Sequence, residues 1–232
     1  MSLRRRTCVA AIAAAALLGI VDARADNRIG EAVLVQKDVL RIAGASTSPI
    51  SVGDGVVRNE TVRTGNDSAA RLVMIDSTNL SLSANASLTL DRTVFNDETS
   101  YRDIAIRLGT GAFRFVTGHS EKAAYKINTP LATIGVRGTI LDIRSQRGQT
   151  MVVLQEGAAR VCTLTFQCLE LTQPGDTAII TAAGQGKSAI RKTNAPSWSF
   201  AASCTSTSGL CTVTDLASSA PPQDFTGILC GR

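Results

Sequence analysis

The chain has 232 residues, with 24 Lys or Arg against 19 Asp or Glu, and a pI of about 9.1 that would suit a partner made of phosphate. Residues 1–25 hold four of the bases and one of the acids, which leaves 20 against 18 in the remainder. Those that remain, such as Arg58, Arg63, Arg71, Arg107 and Arg114, are interleaved with acids and apolar positions, so a nucleic-acid partner is excluded for want of a basic footprint.

The first element is Arg4-Arg5-Arg6, followed by an uncharged run over 8–21 and then Asp22-Ala23-Arg24-Ala25. Basic, apolar and small-x-small segments in that order make a secretory signal peptide, with cleavage expected after Ala25. The apolar run is shorter than the roughly 20 residues a membrane span requires. Cys8 stands ahead of that run rather than at the cut, where a lipoprotein would need it. The expectation is a periplasmic or secreted protein with no membrane span once the signal is removed.

Past residue 25 the chain reads as strands. Candidate strands at 33–35, 39–42, 56–63 and 71–75 lead to the clearest signal, in which Leu80, Leu82, Ala84, Ala86, Leu88 and Leu90 alternate with polar residues. A period of two predicts a strand with one packed face and one wet face. Ile104, Ile106 and Leu108 repeat the rhythm, Phe113 and Phe115 flank Arg114, and further candidates fall at 125–128, 139–143, 151–154, 159–164 and 177–180. Gly, Asn, Asp or Pro separates them at the roughly 8 to 12 residue spacing of all-β folds. No helical period is sustained over three turns, although Asp97-Glu98 would suit the first turn of a short helix over 97–104. The expected fold is all-β, a compact β-solenoid or β-sandwich of many short strands. A loose echo between the segments after Gly53 and Gly109 favours two stacked halves.

After Pro196 the composition shifts to Ser, Thr and Ala, Pro221-Pro222 interrupts, and Trp198, Phe200, Leu210 and Phe225 stand isolated. Residues 195–232 therefore read as an irregular tail, disordered or docked, behind a domain over 26–194 and a signal over 1–25. Loss of Cys8 leaves five cysteines. Cys162 and Cys168 are six apart and Cys204 and Cys211 seven apart, which predicts two short-range disulfides in an oxidising compartment and leaves Cys230 as a thiol that could link two chains. No spacing is Cys-x-x-Cys and the only histidine, His119, is distant, so neither a metal nor another cofactor is expected.

Reactive motifs are incomplete. Gly184-Gln-Gly186-Lys187-Ser188 has Thr181 where a phosphate-binding loop needs its first glycine. Asp76-Ser77-Thr78 lacks the glycine and the second copy of an aspartic-protease dyad. Gly65-Asn-Asp-Ser68-Ala69 lacks the last glycine of a nucleophile elbow. His119 is read as a solvated loop residue, and Asp97-Glu98 is without the further acid spacing of a calcium loop. No enzymatic activity is expected.

Three stretches carry a resemblance: Ser51-Val-Gly-Asp-Gly-Val-Val-Arg-Asn-Glu-Thr-Val-Arg-Thr-Gly65 with Ser68-Ala-Ala-Arg-Leu-Val-Met-Ile-Asp76 and 80–88; Leu108-Gly-Thr-Gly-Ala-Phe-Arg-Phe115; and Ile127-Asn-Thr-Pro-Leu-Ala-Thr-Ile-Gly-Val-Arg-Gly-Thr-Ile-Leu-Asp142 closing with Val152-Val-Leu-Gln-Glu-Gly157. Together, over about 50–160, they resemble a FecR domain. In the most specific part, Thr129, Pro130, Gly135, Arg137, Gly138 and Thr139, the proline can stand only at a strand end or edge and the glycines permit conformations or approaches that a β-carbon forbids. Arg137 is expected to clamp backbone carbonyls rather than to meet a ligand. The resemblance implies a module similar to the periplasmic sensing part of inner-membrane regulators, whose full-length members add a cytoplasmic anti-sigma segment and a membrane span. Here a signal stands in place of those parts, so direct sigma-factor control is not expected. An envelope protein held at a strand edge or sheet face is the expected partner. The alternative is a glycan or peptidoglycan binder, against which one Trp and two Tyr argue, since flat rings are the usual sugar platforms.

Overall fold

The structure is a computed structural model that describes residues 28–95, 101–120, 125–184 and 186–203. The signal segment, residues 97–100, and the tail from 204 on, with Cys204, Cys211 and Cys230, lie outside the described residues. Within them the chain forms β1 Arg28–Gln36, β2 Val39–Ala43, β3 Ser46–Pro49, β4 Gly55–Val57, β5 Thr61–Thr64, β6 Ala69–Met74, β7 Asn79–Leu82 and β8 Ser87–Phe95. Then come β9 Tyr101–Leu108, β10 Gly111–Val116, β11 Tyr125–Asn128, β12 Ala132–Gln146, β13 Gln149–Thr163, β14 Cys168–Leu171, β15 Thr177–Gly184 and β16 Lys187–Thr193. The expected all-β fold of many short strands is what forms.

One long strand organises the rest. One edge of β12 pairs with β13 along its whole length, while its other edge is shared between β11 near residues 133–135 and β10 near residues 140–145. From those two neighbours the sheet runs in two directions, β10-β7-β6-β1-β4 and β11-β9-β8-β5-β2-β3. The two leaves curl over a common interior. Leu82, Phe113 and Phe115 of the first leaf and Leu88, Leu90, Ile104, Ile106 and Ile127 of the second are at most 2% exposed and belong to one apolar cluster. At about 25 cal/mol per Å² of apolar surface removed from water, this burial is the main favourable contribution to the fold.

A bulge lets β12 and β13 serve both leaves. Inward positions on β12 are Ala132, Ile134 and Val136 before Gly138, but Leu141 and Ile143 after it. On β13 they are Val152 and Leu154 before Gly157, and Ala159 and Val161 after it. An extra residue in each strand around Arg137–Ile140 changes the parity of both, as β-bulges do. Gly138 (φ 58) and Gly157 (φ 83) supply the left-handed backbone this requires.

Several elements differ from expectation for local reasons. The candidate strand 56–63 divides into β4 and β5 at Asn59 (φ 61), and 80–90 divides into β7 and β8 at Asn85 (φ 56), asparagine being one of the few residues that tolerates that region. The candidates 151–154 and 159–164 are a single strand, because Gly157 marks a bulge rather than a turn. Residues 101–104 continue a strand, not a helix. The wet face expected along 80–90 is corrected at β7, where Asn79, Ser81 and Ser83 are buried.

The start of the tail packs on the outer face over β10, β13 and β15. Trp198 and Phe200 pack with Ala112, Met151, Val153 and Ile179 in a second apolar cluster on the outer face, and residues Phe200–Ser203 form one 3₁₀ turn. The Trp198 indole N–H donates to Ser203 Oγ at 2.7 Å. Residues 198–203 are therefore docked. Two aromatics isolated in sequence are anchors in space.

Candidate functional site

Two of the four carboxylates buried among the described residues, Asp76 and Asp142, are fully engaged in holding the fold; of the other two, Glu60 accepts from the Val57 N–H at 3.0 Å and Asp176 meets Lys192 at 2.7 Å. Asp76 accepts hydrogen bonds from the Thr78 N–H and Thr78 Oγ1, each at 2.9 Å, and from the Tyr125 hydroxyl. Thr78 Oγ1 in turn accepts from the Gly118 N–H at 3.1 Å, and the His119 N–H donates to the Asp76 carbonyl at 2.9 Å. This ties the β6–β7 hairpin of one leaf to β11 of the other. The Asp76-Ser77-Thr78 string is thus a hairpin turn, with Ser77 at φ 65.

The network predicts an alkaline transition. Burial, reinforced by the hydrogen bond to Asp76, pushes the Tyr125 phenol up to about 12. The unfolded chain releases this proton near 10, so between pH 10 and about 12 the unfolded state binds fewer protons and stability falls as pH rises. Stability lost across that window should be on the order of 2–3 kcal/mol larger in the native chain than in Tyr125→Phe. Urea midpoints at a series of alkaline pH values measure it; parallel curves for the two proteins would refute the buried phenol–carboxylate pair.

Asp142 is the second. Arg114 grips it with Nε at 2.6 Å and Nη2 at 2.9 Å, Gln155 Nε2 donates at 2.9 Å, and the Phe200 N–H donates at 3.0 Å. Arg71, Ser81, Arg114 and Asp142 are register partners across β6, β7, β10 and β12, a polar row on the outer face. The Phe200 ring lies 5.5 Å from the Arg114 guanidinium carbon. The pair is a structural anchor for the tail.

The signature residues 129–139 lie at the junction of the leaves. Thr129 is buried in the β11–β12 turn, where its Oγ1 accepts from the Ala132 N–H at 3.0 Å and the Leu131 N–H at 3.3 Å, with Pro130 exposed at the turn itself. Gly135 faces outward, with nothing within 4 Å of the place a β-carbon would take. Gly138 holds the bulge. The clamp expected at Arg137 is corrected: that side chain is exposed, and Thr139 does the clamping. Thr139 Oγ1 donates to the Ala158 carbonyl at 3.1 Å and accepts from the Arg137 N–H at 2.9 Å, while its own N–H donates to Thr117 Oγ1 at 2.7 Å. A short hydroxyl can reach backbone groups inside a bulge; a long guanidinium on the outward parity cannot.

With Arg137 turned outward, the outer face of β11–β14 carries an open concave surface. Lys126, Gly135, Arg160 and Glu170 are register partners across the four strands, and Arg137 faces Ala158 in the adjacent row. Missing bulk at Gly135 and Ala158 hollows the sheet into a cleft of about 690 Å³ edged by Arg137, Arg160 and Glu170. In the next row Cys162 and Cys168 are direct partners in the β13–β14 ladder, their sulfurs 2.12 Å apart, at bonding distance. Beyond them the hairpin tip presents Leu164, 57% exposed, and Phe166, 89% exposed. Sequence reasoning missed this tip because Leu164 read as the end of a strand and nothing singled out Phe166. A bulky aromatic between two closely spaced cysteines was the available signal. Among the described residues no group of three or more His, Cys, Asp or Glu is placed to hold a metal ion.

Comparison with protein families matches residues 60–160 to the family described as FecR protein. Two crystal structures of a protein from Parabacteroides distasonis, described as an anti-sigma factor, are 16% identical to this chain, with TM-scores of 0.48 and 0.47. Each match covers 58% of this chain and 59% of the other, so the chain spans about three fifths of their length. No curated protein matches. The family match runs from the turn before β5 into β13 and takes in the bulge of the β12–β13 hairpin, Arg137 and Arg160 of the cleft edge and the signature glycines; over residues 60–160 this chain matches a FecR domain.

Proposed function

We propose that this chain is a non-catalytic, exported FecR-domain module that holds a protein partner at the cell envelope, in signalling or assembly. The observation that carries the reading is the FecR match over 60–160, laid on a fold whose signature hairpin ends in a preformed, solvent-facing cleft. Two of the interior acids agree with it, since the Asp76 and Asp142 side chains are occupied in structural hydrogen bonds. Export to an oxidising compartment would suit the Cys162–Cys168 pair. Crosslinking the full chain in a periplasmic extract should recover a defined protein; recovery of nothing above background, or sedimentation with purified cell-wall polymer instead, counts against the proposal. Trp198 and Tyr125 offer sugars little, being 9% and 3% exposed.

The disulfide carries its own expected result. A bridge across a loop of six-residue separation should contribute about 2 kcal/mol by restricting the unfolded chain. Thermal unfolding with and without reductant, compared with a Cys162→Ser, Cys168→Ser double variant, reads that contribution. The double variant should show no reductant dependence from this pair.

A further inference from the structure

The outer face of β11–β14 combines three features that the fold itself does not use. First, charge: Arg160 has Glu170 at 3.5 Å, whereas among the described residues neither Lys126 nor Arg137 has an acidic partner; Arg137 lines the hollow, and Lys126 stands in register beside Gly135. Second, shape: Gly135 and Ala158 leave room over the sheet for a partner's side chains, because an added β-carbon at Gly135 would meet nothing. Third, a rigid apolar tip. Phe166 sits at φ 63, a conformation a bulky residue adopts only when its surroundings impose it. Here the Phe166 N–H donates to the Thr163 carbonyl at 3.0 Å, the Thr163 N–H to the Gln167 carbonyl at 2.8 Å, and the Gln167 N–H to Thr163 Oγ1 at 3.1 Å, with the Cys162–Cys168 pair beneath. A turn whose backbone is already fixed loses little freedom when a partner covers its tip.

Resting on the partner-binding reading above, we infer that this face is the docking surface for an acidic protein partner. Its carboxylates meet Lys126 and Arg137 over Gly135, while an apolar recess on it receives Phe166. A second copy of the chain is a poorer occupant, because it would bring the same uncompensated cations. Buried aromatic and arginine side chains are the usual anchors of an interface, and the charges steer encounter and set a steep salt dependence.

The experiment uses the full chain in its native cell envelope with a photo-reactive benzoylphenylalanine placed at position 166, at 137, or at 187 on β16 at the far side of the sheet. The expected result is capture of the same protein from 166 and 137 but not from 187, with the crosslinked segment rich in Asp and Glu. That capture should fall at least about tenfold with Phe166→Ser or with Lys126→Glu plus Arg137→Glu, and decline as salt rises. These side chains are exposed, so unfolding midpoints should be unchanged; if the charge reversal disturbs folding, Lys126→Gln plus Arg137→Gln replaces it. Capture from 187 alone would overturn the docking surface while leaving the partner-binding reading intact. Capture indifferent to the charge changes would overturn the acidic partner. No capture from any position would remove both, and binding of phosphatidylglycerol vesicles through the same residues with no protein captured would replace the protein partner by a membrane surface.

Discussion

Replacing Gly157 with alanine is expected to destabilise the domain by at least about 3 kcal/mol, enough to threaten a fold whose total stability is typically only about 5–15 kcal/mol. Two independent effects add there. The backbone stands at φ 83, where a β-carbon is strained whatever the space, and that carbon would fall 1.9 Å from the Gly138 carbonyl oxygen and 3.0 Å from the Thr139 Cα. Neither neighbour can retreat, because Thr139 is tied to Thr117 and Ala158 and the bulge sets the parity of both long strands. Relief would require the β12–β13 hairpin to straighten, which would turn Leu141 and Ile143, or Ile134 and Val136, away from the core. Gly135→Ala is the matched control, since it lies in the same hairpin with an open β-carbon site. It should gain up to about 0.5–1 kcal/mol, the usual benefit of removing glycine from a strand. Urea unfolding measures both through the midpoint at constant slope; equal effects of the two substitutions would refute the role given to the bulge.

Most of the strands and little of the site were legible in the sequence, and the division has physical causes. A period of two reports a half-buried strand wherever one face is wet, which is why β8, β9 and the inner face of β7 could be read directly. It fails where remote strands bury the second face: nothing near Ser81 announces that it will lie in register between Arg71 and Arg114 and be buried there. Glycine was read as punctuation, correctly as a break in the fold's regularity but incorrectly at Gly157 as a strand end, because a bulge and a turn ask for the same left-handed backbone. The error at Arg137 has the same root. Its outward orientation follows from the even parity of the inward positions before Gly138, and Thr139 turns inward only because the bulge changes that parity. The cleft depends on register across four strands, and that register brings Lys126, Gly135, Arg160 and Glu170 together from positions up to 44 residues apart in sequence.

Removing one member of the Arg114–Asp142 pair is expected to be the most damaging side-chain substitution, about 3–5 kcal/mol for Asp142→Ala or Arg114→Ala, because the remaining charge would be buried without its counter-charge. Arg114 is 6% exposed and Asp142 is 0% exposed, so solvent offers little rescue. The two single variants should differ in their secondary consequences. Asp142→Ala also strands the Gln155 amide and the Phe200 N–H, which releases the docked 198–203 segment and exposes Trp198. Arg114→Ala leaves those two donors satisfied but removes the guanidinium stacked on Phe200. Tryptophan fluorescence below the unfolding transition separates the cases, since the sequence has one Trp: a red shift is expected for Asp142→Ala and a smaller one for Arg114→Ala. Replacing both with apolar residues of similar size, Arg114→Met with Asp142→Leu, should recover much of the lost stability, because no lone charge is then buried. That double variant should still show the red shift, because the Phe200 N–H has lost its acceptor. If it were as unstable as either single variant, burial of an unpaired charge would not be the source of the loss, and the polar row beneath the tail would have to act through packing alone.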